Sequence, residues 1–142
     1  MGFVRGFGLQ CGAMASSVAN DCHNLVVVAA DDDDGLCAAR AVADMGGGIA
    51  VAVGGEVRAA MALPLAGLMA DRPPEVVADQ LDAVTSAVRQ LGCAVPAPFM
   101  AMSFLALPVI PHLKLTDRGL VDVDAFAFTD VFVDELPQRE LG

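Results

Sequence analysis

The chain has 142 residues, 56% of them hydrophobic and only 18% charged, with a formal net charge of -10 and neither Trp nor Tyr. That length suits one domain over residues 1–142 with a genuine core, and the composition excludes a disordered chain. The acidic balance leaves no basic face to neutralise phosphates, so nucleic-acid binding is not expected.

The opening "MGFVRGFGLQCG" lacks a cationic head followed by an apolar stretch, so it does not read as a secretory signal. Its closely spaced glycines make a bending lead-in to a strand over Gly12–Val18. "NLVVVAA" is a continuous β-branched run, as expected of a strand covered on both faces. Asp31 to Asp34 follow where a helix needs a solvated, acidic cap. The helix itself is "GLCAARAVADM", with Leu36, Ala39, Val42 and Met45 as its apolar stripe and Gly46 at its exit. "GIAVAVGGEVRAAMAL" predicts two strands joined by a tight Gly54-Gly55 turn, the second strand ending at Pro64. "DRPPEVVADQLDAVTSAVRQLG" predicts a second helix, with prolines in its first turn, Gly92 past its end, and Val77, Leu81, Val84, Val88 and Leu91 on one face. Prolines then divide the rest into a short strand or helical turn around Phe99–Leu107, an extended stretch, and a last strand near Phe128–Val133. The ββαββα order predicts an α+β fold, a layered sandwich of a largely antiparallel or mixed sheet with helices packed on it.

Gly, Pro and Asp break every apolar run before the roughly 18 to 20 residues that span a bilayer, so no membrane segment is expected. The high apolar content instead predicts surface covered by a second domain or by further copies, a homo-oligomer. Cys11, Cys22, Cys37 and Cys93 form no C-x-x-C pair, and free buried thiols in a cytoplasmic protein are expected.

Few residues carry recognisable chemistry. Asp21-Cys22-His23 juxtaposes three ligand types, but neighbours in sequence rarely converge on one ion, and a structural zinc needs four ligands. The alternatives for this turn are a polar bend whose Asp21 and Asn24 bond local backbone, or a bend that also reaches a cavity shared with another domain. The Asp31–Asp34 run lacks the later Glu of a calcium loop. Gly46–Gly48 follows a helix and precedes a strand, the reverse of a phosphate-binding loop. "LTDRG", Leu115–Gly119, reads as a turn with a local Asp117–Arg118 ion pair. No metal site is predicted within this chain.

Three stretches resemble the C-terminal domain of bacterial and archaeal adenine deaminases. They are "GAMASSVANDCHNLVVVAADDDD", "LPLAGLMADRPPEVVADQL" and "LGCAVPAPFMAMSFLALPVIPHLKLTDRGLVDVDAFAF", in family order from Gly2 to Val133. The resemblance implies an enzyme of the amidohydrolase superfamily that hydrolyses adenine to hypoxanthine and ammonia in purine salvage. There a (β/α)₈ barrel holds manganese or iron, which activates water for attack on C6. This sequence lacks the "HxH" pair and has no room for eight βα units, so the implied partner is a barrel on the same or a separate chain. The family continues upstream into an "ERH" segment, so Met1 is expected to be an internal or split-gene start. The isolated chain, with no cofactor of its own, is expected to be inactive.

The family turn usually reads "AHDSHN", and here it is "ANDCHN": Asn20 stands for His and Cys22 for Ser, while Asp21, His23 and Asn24 match. Asp21, His23 and Asn24 are therefore the candidate cavity residues. A non-catalytic association module or decayed remnant is the alternative function, and a small metal or ligand binder using this turn is a third.

Overall fold

In the computed structural model, which describes residues 1–132, two antiparallel sheets and three helices are built. Strands β1 (Ala13–Ser16), β2 (Val26–Ala29), β3 (Gly48–Val53) and β4 (Glu56–Ala62) form a sheet of order β2-β1-β3-β4. Helix α1 (Asp32–Asp44) packs on one face; α2 (Pro74–Gln90) and α3 (Pro98–Ser103) pack on the other. A 3-10 turn over Phe104–Ala106 then leads to the second sheet, β5 (Leu113–Thr116), β6 (Gly119–Asp122) and β7 (Ala127–Thr129). The α+β layered sandwich is the architecture found, with every strand pair antiparallel and the strands divided between two sheets.

Strand alternation sorts side chains by size between the two helical layers. Ala13 and Ala15 of β1 and Ala50 and Ala52 of β3 meet Ala38 and Val42 of α1. On the opposite face Met14, Ile49, Val51 and Met61 pack with Val84 and Val88 of α2 and Phe99 and Met102 of α3. Small residues let α1 approach the sheet closely, and the bulky face supplies most of the apolar burial, about 1.5–3 kcal/mol for each large side chain.

Helix α2 buries the face expected, with Val84, Val88 and Leu91 in the core and Val77 packed against it, whereas α1 departs from its expected stripe. On α1 the buried positions are Asp34, Gly35, Ala38 and Val42, and Leu36 is 50% exposed. The alanine face of the sheet leaves no room for a leucine knob there. On α2 Val84 and Val88 are fully covered, and of the expected stripe only Leu81, 43% exposed, lies off the core. β2 is an edge strand with only Val28 buried, not the doubly covered strand expected. Of the thiols only Cys93 is buried; Cys11 is exposed and Cys22 and Cys37 lie between.

The acidic run is only partly a solvated cap. Asp31 caps α1 by accepting from the Asp34 backbone N–H at 2.9 Å. Asp34 itself is buried, and its Oδ1 accepts from the Gly55 N–H at 2.7 Å, tying the helix start to the tip of the β3–β4 hairpin. That turn has both glycines at positive φ, 64° and 75°, as a two-residue hairpin requires.

The Gly46–Gly48 run serves a backbone crossing. A Cβ on Gly47 would lie 2.3 Å from Gly67 Cα, and one on Gly48 would lie 2.2 Å from the Met61 carbonyl. Ser17 fills the crossing: its hydroxyl accepts from the Gly48 N–H at 2.8 Å and donates to the Gly67 carbonyl at 2.6 Å.

The C-terminal third holds the largest departures. Of the two readings of Phe99–Leu107, the helical one is found, as α3 and the 3-10 turn ending at Ala106. The β5–β6 hairpin was not foreseen, and Leu115–Gly119 forms its turn, with Thr116 Oγ1 bonded to Gly119 and Arg118. Among the described residues Asp117 and Arg118 form no ion pair; Arg118 instead lies 5.6 Å from the centre of the Phe128 ring. Of the last expected strand, Phe128–Val133, only Phe128 and Thr129 are extended, at the end of β7; Asp130–Phe132 are not strand, and Val133 lies outside the described residues.

Two predictions follow from this packing. Gly46→Ala meets open space and should cost only the left-handed backbone penalty, about 1–2 kcal/mol. Gly47→Ala should add an overpacking cost of about 1–3 kcal/mol, read as a lower urea midpoint. The Gly55 N–H, followed by the Gly54 N–H and the Asp31 side chain, holds the Asp34 carboxyl below its ordinary value against the opposing effect of burial. A depressed folded value means that the contribution is complete above the unfolded carboxylate pKa, about 3.9. It is lost as pH falls through the lower folded value. Acid unfolding of Asp34→Asn should therefore show a shallower pH dependence in that window than the parent chain.

Candidate functional site

The chain leaves β1 at Ser16, whose hydroxyl accepts from the Val18 N–H at 3.0 Å, and turns back through Asn20–Asn24 into β2. The turn is closed by the His23 N–H on the Ala19 carbonyl at 3.0 Å and the Cys22 N–H on the Asn20 carbonyl at 2.7 Å. Asp21 and His23 both adopt left-handed backbone, with φ of 60° and 47°. Asn, Asp and His are the non-glycine residues that enter this conformation most readily, and the bonds of the turn hold them there.

Contacts beyond the turn come from alternate residues. Asn20 Nδ2 donates to Ser103 Oγ at 3.0 Å, and Ser103, nearly fully buried, donates in turn to the Met100 carbonyl at 2.7 Å. Cys22 Sγ donates to the Ala106 carbonyl at 2.7 Å. The turn is thus pinned onto the end of α3 and the 3-10 turn behind it by its two inward residues. Asp21 and His23 point out: both are exposed, and neither side chain has a hydrogen-bond partner among the described residues. The local bonding expected of Asp21 and Asn24 in a purely structural bend is supplied by Asn20 and Cys22 instead.

Asn24 is half-buried and stands on the wall of a cleft of about 590 Å³. Val26, Val28, Leu105, Ala106 and Leu115 make its apolar lining, and Thr116 and Asp117 stand at its polar part. Asp21 and His23 do not line that cleft, so the structure sets Asn24 apart from the other two candidates. His112, the other histidine, pairs with Asp124 at 2.5 Å on the second sheet. Among the described residues no three His, Cys, Asp or Glu side chains are grouped so as to hold a metal ion.

Asn20 and Cys22 escaped attention as supports because their partners lie 83 and 84 residues away. The only available signal was Ser103 inside the "PFMAMSFLALP" block, whose connection to the turn no local pattern reveals.

Residues 1–127 match the family described as the adenine deaminase C-terminal domain. The chain belongs to that family. It is 57% identical over 132 residues to the adenine deaminase of Desulfatibacillum aliphaticivorans, covering 93% of this chain and 23% of the relative. It is 58% identical over 123 residues to that of Methylobacterium nodulans, covering 87% and 22%, and 50% identical over 131 residues to that of Moorella thermoacetica, covering 92% and 22%. The chain thus spans less than a quarter of the length of these relatives. The family membership extends over both the candidate turn and the α3 region that braces it.

The division of labour in the turn predicts opposite outcomes for neighbouring substitutions. Asn20→Ala strands part of a half-buried hydrogen-bond pair and should lower stability by about 1 kcal/mol. His23→Ala, at an exposed position with no bonded partner, should stay within about 0.5 kcal/mol of the parent. Thermal melts of the two variants check this, and a large loss from His23→Ala would show a support that the geometry lacks.

Proposed function

We propose that this chain is the C-terminal part of an adenine deaminase of the amidohydrolase superfamily, active in cytoplasmic purine salvage. The reaction adds water to adenine at C6 and releases ammonia, giving hypoxanthine. In this reading a barrel on the same or a separate chain carries the manganese or iron that activates the water. The described residues do not fit such a metal, because Asp21 and His23 offer two neighbouring ligands with no third donor grouped with them among those residues.

The observation that carries the reading is the outward-facing, braced turn. Two polar side chains with no bonded partner of their own among the described residues are held facing away from their domain by the bonds of Asn20 and Cys22. Such an arrangement supports a role toward a partner. The His23 imidazole and the Asn24 amide can each donate or accept a hydrogen bond, and the Asp21 carboxylate can accept one. We place these three at the rim of the cavity that the barrel completes. Exposed apolar side chains outside the cleft, among them Met69, Val109 and Phe126, support the further proposal that the complete enzyme assembles into homo-oligomers.

A non-catalytic module or decayed remnant is the second reading, favoured by Asn20 and Cys22 standing where the family turn has His and Ser. The two are separated by activity. The isolated chain with adenine and Mn²⁺ should release no ammonia above the blank. A fusion placing this chain after the barrel of the Desulfatibacillum aliphaticivorans enzyme should release it, and His23→Ala in that fusion should reduce kcat at least about ten-fold, as general acid–base groups do. An inactive but folded fusion would favour the remnant.

A further inference from the structure

β2 is an edge strand of unusual composition. Val26–Ala29 carries no charge, no proline and no bulge, and its outer side pairs with no strand among the described residues. Soluble proteins usually protect such an edge with a lysine, a proline or a covering element, because its free N–H and C=O groups will template another strand. Here the N-terminal segment runs past β2 without pairing to it. It leaves two gaps, of about 590 and 220 Å³, that share Gly2, Phe3, Val4, Val27 and Val28 as walls. Phe3, Leu25 and Val27 around these gaps are exposed apolar side chains.

Resting on the reading that this chain completes an adenine deaminase, we propose that the outer edge of β2 and its cleft are where the rest of that enzyme docks. The docking element is an extended apolar segment that pairs its backbone with Val26–Ala29, the mode of strand addition. Three observations select this occupant. The relatives carry more than three quarters of their length outside the matched region, and the matched family is a C-terminal domain, so in those relatives the larger portion precedes the matched region. Gly2–Val4, at the start of the matched region, wall the cleft beside β2. The cleft is also continuous with the candidate turn through Asn24, so an element seated there would lie next to Asp21 and His23.

Charge argues for the same partner over a second copy. The chain carries -10, and exposed Asp31, Asp32 and Asp33 follow directly after β2. Copies brought edge to edge would meet like net charge, whereas a segment with Lys or Arg beside its apolar run would meet attraction. The docking should consequently weaken as salt rises.

Hydrogen–deuterium exchange of the Val26–Ala29 amides tests the proposal. It compares this chain alone with the fusion in which it replaces the matching region of the Desulfatibacillum aliphaticivorans enzyme. The outward-facing amides should exchange at least about ten-fold more slowly in the fusion. Val27→Lys should remove that difference while leaving the melting temperature of the isolated chain unchanged. If the fusion does not fold, the same measurement on the natural Desulfatibacillum enzyme, at the positions aligned with Val26–Ala29, decides. Equal exchange in both proteins would overturn the docking, as would equal protection appearing in the isolated chain with rising concentration, which would assign the edge to a second copy. Protection in a fusion that releases no ammonia would uphold the docking and defeat the catalytic reading. Ammonia release by a fusion with an unprotected β2 would do the reverse.

Discussion

The structure depends on β1 being closed on every side. Ala13–Ser16 is fully buried, paired with β2 on one edge and β3 on the other, with α1 against its alanines and α2 and α3 against Met14. A strand so enclosed cannot slip, since a shift of one residue would drive Met14 into the alanine face. The register of β1 therefore fixes where the chain emerges, and it emerges as Ser17–Asn24. Ser17 at once ties the Gly47–Gly67 crossing, and Asn20 and Cys22 tie the turn to the far end of the fold. The position of His23 is thus set by the tightest-packed part of the molecule, although its side chain lies in solvent.

The same closure concentrates packing at the middle of the first sheet. Of the apolar side chains left exposed, Leu25, Val27 and Phe3 lie around its β2 edge. A chain with its own second layer on that side would place charges there. This one carries its acids just beyond the strand, at the start of α1, and leaves the strand itself bare. The high apolar fraction of the sequence agrees with the apolar side chains left at this edge.

Most of the first ninety or so residues were legible because their elements are local. The Gly54-Gly55 turn, the Pro-initiated α2 and the Asp31 cap are each decided within a few residues, and each was found where the pattern placed it. The stripe on α1 was misplaced because helical spacing gives a period but not the surface it meets; the alanine face of β1 and β3 chose Ala38 over Leu36. The β5–β6 hairpin was missed because four prolines between Pro96 and Pro111 obscured alternation in the short strands that follow. At the candidate site, Asp21, His23 and Asn24 were singled out from their chemistry. The residues holding them were not, because Asn20 and Cys22 act through partners more than eighty positions away.

The two anchors of the turn differ in a way that bears on how the sequence can drift. Cys22 donates to a backbone carbonyl, an acceptor that persists whatever residue occupies position 106. A serine there would serve equally, so position 22 is free to wander among small donors. Asn20 leans on a side chain, the hydroxyl of Ser103, which must itself stay oriented by the Met100 carbonyl. Positions 20 and 103 should therefore change in concert through evolution, while 22 and 106 change independently. A histidine at position 20 also carries a ring N–H donor, so the Ser103 hydroxyl is an acceptor that more than one residue type at position 20 can use.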